Sequence, residues 1–177
     1  MRLFMRRYML ILMAVAFTVL SCDKEDRKNT YASQEAAIDS YVGGLSTENR
    51  VVYRKGAVRV VLQEGTSIDT LKKGDSLYFY FSGYTFSGGK GSLFATNVEE
   101  VAEAAGFYTD GLPKKIKYGS DPLIEGLKNG LEGMRTGENS YIIFSGQYGY
   151  GNQILFNVPK MTPLLFDITV YKIIKNN

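Results

Sequence analysis

Between Asp121 and Gly151 the chain reads DPLIEGLKNGLEGMRTGENSYIIFSGQYGYG: a helical pattern carrying three glycines, then a turn, a strand and an aromatic-glycine loop. Asp121 suits an N-cap, and Pro122 suits the first helical position, where its missing N–H would have no partner anyway. The pattern therefore predicts a helix from about Pro122. Leu123, Ile124, Leu127 and Leu131 fall on one apolar stripe, with Glu125, Lys128, Asn129 and Glu132 on the other side. Gly126, Gly130 and Gly133 each weaken such a helix by about 1 kcal/mol relative to alanine. A helix this weak must lean on a sheet, and its glycines imply that something approaches its backbone closely.

The flanking chain supplies strands. Val51 to Leu62 reads as a β-branched hairpin turning at Lys55-Gly56. In LYFYF, Leu77, Phe79 and Phe81 alternate onto one face and Tyr78 and Tyr80 onto the other. Gly83 and the tip Ser87 to Gly91 break that pattern before Leu93 and Phe94 resume it. Lys114 to Tyr118 alternates again, as do Ser140, Ile142 and Phe144, and then Leu164, Phe166, Ile168 and Val170. Val98 to Ala105 reads as a helical insert, spanning 98–112 with its flanks, whose Glu99, Glu100 and Glu103 face solvent. The expected architecture is α+β: a curved antiparallel sheet of five or six strands wrapped round one central helix, with a pocket at one end of it.

The inventory excludes several chemistries. The chain has no histidine and one cysteine, so histidine-based triads and imidazole metal ligands are absent. No metal site and no cofactor is expected. A serine-lysine pair stays open, although no serine sits in a GxSxG elbow. GGKGS at 88–92 looks like a phosphate loop but lacks the earlier glycine at the right offset, and Gly91 follows the lysine where serine or threonine is needed.

The front end is a separate unit. Arg2, Arg6 and Arg7 precede the apolar run Met9 to Leu20, which ends at Ser21-Cys22. This is the layout of a signal peptide over 1–21, too short to span a bilayer by preference. An ordinary secretory signal or an N-terminal anchor helix has the same layout. VLSC also resembles the lipobox of bacterial lipoproteins, which implies an acylated Cys22 and a membrane held through that lipid. Loss of the three leader arginines takes the formal charge from +3 to zero, so no basic stripe remains for nucleic acid. Residues 22–32 read as a charged, solvated tether. Cys22-Asp23-Lys24-Glu25-Asp26 resembles a surface-export signal of some Gram-negative lipoproteins, so the expected location is the outer membrane, facing either the periplasm or the cell surface. Within 33–50, Ser33 caps a short helix whose Ala37, Ile38 and Tyr41 share a face up to Gly43-Gly44.

FYFSGY, LFATN, DPLIEGLKNGLEGMRTGE, the strand with GQYGYG, and VPKMTPLLFDITVYKI occur in that order. In that order and spacing they resemble the FKBP family of peptidyl-prolyl cis-trans isomerases over roughly Val51 to Ile174, so 51–177 is expected to be an FKBP-like domain. The resemblance implies a half-barrel sheet and a shallow apolar pocket for a proline ring. Tyr150, Phe166, Phe94 and Ile124 would carry catalysis, Tyr150 through its hydroxyl and Ile124 through its backbone N–H. Phe81, Ile116, Leu123, Leu127 and Val158 would complete the substrate site, Leu127 as the floor where the family commonly has tryptophan. Ala95 stands where aspartate is common in the family, Lys114 where an aromatic wall is usual, and Phe81 where tyrosine is usual. The implied clients are proline-containing segments of exported or envelope proteins. A non-enzymatic alternative keeps the fold as a chaperone or accessory subunit of an outer-membrane complex. A third reading is a carbohydrate-binding or adhesive lipoprotein whose aromatics face sugars.

Overall fold

The computed structural model describes residues 2–155 and 157–176, and only the backbone of 2–23. Elements follow in the order α1 (Arg2–Leu45), β1 (Arg50–Arg54), β2 (Ala57–Gln63), β3 (Ser76–Phe86), β4 (Lys90–Thr96), α2 (Glu99–Ala105), β5 (Lys114–Lys117), α3 (Glu125–Leu131), β6 (Asn139–Phe144) and β7 (Leu164–Ile174). All strands pair antiparallel in one sheet, in the order β1-β2-β6-β7-β3-β4, with β5 also on β3. β3 organises it. One edge of β3 pairs with β7 from Ser76 to Thr85. The other edge is divided between β5, on Ser76 to Phe79, and β4, on Ser82 to Phe86.

The interval between β5 and β4 would leave β3 backbone groups unpaired, and Asn97 fills it. Its carboxamide oxygen accepts from Phe81 N–H (2.7 Å), and its amide nitrogen donates to the carbonyls of Phe79 (3.2 Å) and Leu112 (2.9 Å). A buried side chain thus stands in for the missing ladder rungs. It also roots both ends of the insert that carries α2.

Leu77, Phe79, Ile142, Phe144, Leu164, Phe166, Ile168 and Val170 form the inner face with Leu127 and Leu131 of α3. That is the alternation read from the sequence. The hairpin turn is also where expected, with positive φ at both Lys55 (43°) and Gly56 (81°). The residues of opposite parity are buried as well. Val58, Val60, Phe86, Ile143 and Leu165 pack against Ile38 and Val42 of α1 on the outer face.

Four expectations change. The charged 22–32 segment is not a separate tether before a helix capped at Ser33. It lies within one helix, Arg2–Leu45, because Lys, Glu and Arg are good helix formers and no proline or glycine interrupts them. Cys22, with all side chains of the leader, lies outside the described side chains. Gly83 does not break the strand, since β3 runs through it to Phe86. α3 starts at Glu125, not Pro122, with Ile124 as an extended N-cap (φ −60°, ψ 144°). The Asp121 carboxylate is engaged elsewhere, accepting the Lys117 N–H at 2.8 Å, so residues 122–124 stay outside the helix. Asn129 is not on a solvent face: it is buried and donates to the carbonyl of Lys55 at 3.0 Å.

Candidate active site

The inner face is only partly covered, and the uncovered part is a pocket of about 300 Å³ at the N-terminal end of α3. Phe81, Phe94, Leu123, Ile124, Leu127, Tyr150 and Phe166, all sequence candidates, line it together. Phe79, Ala95, Lys114 and Pro122 complete the lining. Ile116 and Val158, also expected in the walls, do not line it. Both are buried in the core behind it, Ile116 because its register partner Leu77 lies deeper in the sheet than Phe79, the partner of Lys114. The loop 151–159 contributes none of its described residues to the lining.

The aromatic walls hold each other in place. Phe166 meets Phe94 edge-on, with centroids 5.6 Å apart at 86°, and stacks on Phe144 at 5.9 Å and 17°. Phe94 in turn meets Tyr150 at 6.3 Å and 74°. These geometries suit the ring quadrupole and fix the rings without polar contacts. Gly83 makes room for them: a Cβ there would lie 2.7 Å from Phe94 Cζ and 3.0 Å from Phe166 Cε1. The sequence signal at Gly83 was real, but its cause is close packing of rings and not the end of a strand.

The floor depends on two further glycines. A Cβ on Gly126 would overlap the ring of Phe144, and one on Gly130 would overlap Ile142 Cγ2. Their absence lets α3 lie directly on β6. Because 122–124 lie outside the helix, Leu123 and Ile124 reach the pocket from the chain before it. The Ile124 N–H precedes the first helical turn and has no intrahelical carbonyl to meet.

Tyr150 sits on a loop that closes on itself, with Gly151 N–H donating to Gly146 C=O at 2.9 Å and Met161 N–H donating to Gly151 C=O at 2.6 Å. Gln34 of α1 clamps the base of this loop. Its side-chain oxygen accepts from Gly146 N–H (2.9 Å) and its amide donates to Met161 C=O (2.6 Å). No pattern in the sequence pointed to Gln34, because its partners lie more than a hundred residues away. Burial pushes the Tyr150 hydroxyl above the ordinary phenol range, so it stays protonated and able to donate. It makes no hydrogen bond to the described residues.

The pocket is apolar apart from Tyr150 and Lys114, and no Asp or Glu lines it. Among the described residues no cluster of His, Cys, Asp and Glu could hold a metal ion. Among the described residues the one ion pair with both partners buried, Arg59–Glu138 (3.3 Å), lies at the opposite end of α3. There Arg59 Nη1 also donates to the last carbonyls of the helix, Gly130 and Glu132, both at 2.9 Å. A second cavity of about 320 Å³ lies on the outer side, between α1 and the β1–β2 turn, among Glu35, Asp39, Arg54 and Lys55. Two aromatic residues, Tyr53 and Tyr148, line it, against five in the first pocket. What the aromatic pocket can do is hold a compact apolar ring, keep water from it, and offer one or two donors at the lip.

Residues 67–171 match the FKBP-type peptidyl-prolyl cis-trans isomerase family. "FK506-binding protein 2" of Emericella nidulans is 27% identical over 101 residues, covering 57% of this chain and 66% of that protein. "FK506-binding protein 3" of Candida albicans is 37% identical over 60 residues, or 34% of this chain and 14% of that protein. The chain thus spans less than two thirds of the length of these curated relatives. In structure it is similar to the N-terminal domain of FKBP42 from Arabidopsis thaliana, with a TM-score of 0.59 at 18% identity, covering 72% of this chain and 94% of that one. It is also similar to a peptidyl-prolyl cis-trans isomerase from Pseudomonas syringae, with a TM-score of 0.58 at 18% identity over 82% of this chain and 96% of that one. At that identity the structural likeness speaks for the fold alone.

Proposed function

Given that the chain belongs to the FKBP-type peptidyl-prolyl cis-trans isomerase family, we propose that it catalyses cis-trans isomerisation of X–Pro bonds in exported or envelope proteins. The observation that carries this reading is the aromatic pocket with a protonated Tyr150 at its lip and no Asp, Glu, His, Cys or Ser among its lining residues. Rotation about a prolyl amide faces a barrier of about 18–20 kcal/mol set by amide resonance. Nothing need be protonated or broken. The twisted amide has lost resonance and is less polar than the planar one, so a dry pocket favours it. In this scheme Phe94, Phe166 and Phe81 hold the proline ring and Leu127 lies beneath it. The Tyr150 hydroxyl and the Ile124 N–H donate to carbonyls on either side of the rotating bond.

The departures at Ala95, Lys114 and Leu127 support a second reading, an accessory or chaperone subunit with the same pocket and little turnover. A prolyl isomerisation assay on a short proline peptide, using the full chain in detergent, separates the two. Parent activity that falls several-fold in Tyr150→Phe and further in Phe166→Ala supports the enzyme. A parent rate equal to the uncatalysed rate overturns it in favour of the accessory role. The proposed site of action is a bacterial outer membrane, through a lipid on Cys22. The reading is supported by the VLSC sequence, and membrane retention of Cys22→Ala would refute it.

A further inference from the structure

We infer that this pocket selects clients carrying an acidic residue immediately beside the proline, and that Lys114 is the residue that reads it. The inference rests on the proline-binding reading above and adds the chemical class of the client. Lys114 stands opposite Phe79 in the β3–β5 ladder, and Ile116 opposite Leu77. Phe79 and Leu77 are inner-face residues, so the register places Lys114 on the inner side of its strand, where an apolar residue would be the rule. Only its position at the pocket mouth leaves it exposed.

The lysine is also unmatched. Lys90 and Lys175 are each held by an aspartate, at 2.7 and 2.6 Å, and Lys115 lies over the ring of Tyr78. Lys114 enters no ion pair among the described residues. Along the same wall the residue opposite Gly83 is Ala95, which offers no carboxylate. Glu99, beside Gly111, and Glu125, at the start of α3, are exposed and do not line the pocket. A single cation beside apolar walls gives the mouth a field of one sign, which favours an anion and disfavours a cation on the bound peptide. Free phosphate or a nucleotide would find no second cation there. A carboxylate tethered to a ring that fills the pocket needs only one.

The test uses peptides that differ only beside the proline (Glu-Pro, Gln-Pro, Lys-Pro, Pro-Glu and Pro-Gln), with the full chain in detergent, measuring both equilibrium binding and isomerisation. A half-exposed ion pair implies a preference of about three- to five-fold for a glutamate peptide over its glutamine isostere, shrinking when salt shortens the screening length. Lys114→Met is expected to erase that ratio, and Lys114→Glu to transfer the preference to Lys-Pro. Equal binding of the Glu and Gln peptides on both sides of the proline overturns the inference, as does a glutamate preference that survives Lys114→Met. Charge-selective binding without turnover would leave this inference standing while removing the isomerase reading. Turnover without charge selection would do the reverse. Failure to bind any proline peptide would end both.

Discussion

Both faces of the sheet are apolar and both meet a helix, yet they meet it differently. On the inner face α3 is seven residues long, about 10 Å at 1.5 Å per residue, against an eleven-residue β3 that spans over 30 Å. The helix covers one end and leaves Phe81, Phe94 and Phe166 open at the other. On the outer face, α1 covers the sheet through Ile38 and Val42, set against the aliphatic Val58, Val60, Ile143 and Leu165. The concavity is therefore a consequence of helix length.

The glycines repeat the contrast. Gly126 and Gly130 press against Phe144 and Ile142, whereas Gly43 and Gly44 in α1 have nothing within 4 Å of where a Cβ would stand. Close approach is a requirement of the inner helix only.

The largest effect expected from breaking the inner arrangement is at the end of α3. Arg59→Met strands the fully buried Glu138 and two helix-terminal carbonyls and should cost about 3–5 kcal/mol in urea unfolding. Gly126→Ala forces the helix off Phe144 and should cost about 1–3 kcal/mol, with weakened peptide binding because Leu127 and Ile124 move with the helix. Gln34→Ala tests whether the outer helix serves the inner site. Loss of its two hydrogen bonds should destabilise by about 1–2 kcal/mol and lower kcat more than it raises KM, because Tyr150 would be held less firmly at the lip. An unchanged kcat would show the faces to be independent. Smallest, and opposite in sign, Gly44→Ala should stabilise by about 0.5–1 kcal/mol, read as a rise in Tm.

Much of this arrangement is legible in the sequence because alternation is local. Leu77 and Phe79, Ile142 and Phe144, and Phe166 and Ile168 declare their face by spacing alone, and Lys55-Gly56 declares its turn. The burial of Ile143 and Leu165 is not legible there, because it needs α1 to arrive on the other face. The start of α3 is misread from sequence, since Asp121 has two backbone amides to choose from and takes that of Lys117. Asn129 looks solvated until the β1–β2 turn brings Lys55 C=O to it. Ile116 and Val158 match the expected wall positions but pack behind the wall.

The sequence by itself determined the strands, the apolar stripe on α3, the glycines that stripe requires, and the lack of any histidine for triad or imidazole chemistry, because these depend on residue type and short spacing. Only the tertiary structure decided where the pocket opens, that Asn97 and Gln34 hold its frame, and that Ile116 and Val158 pack behind its walls. Each of those depends on groups distant in the chain meeting within hydrogen-bond or contact range, and no local period encodes such a meeting.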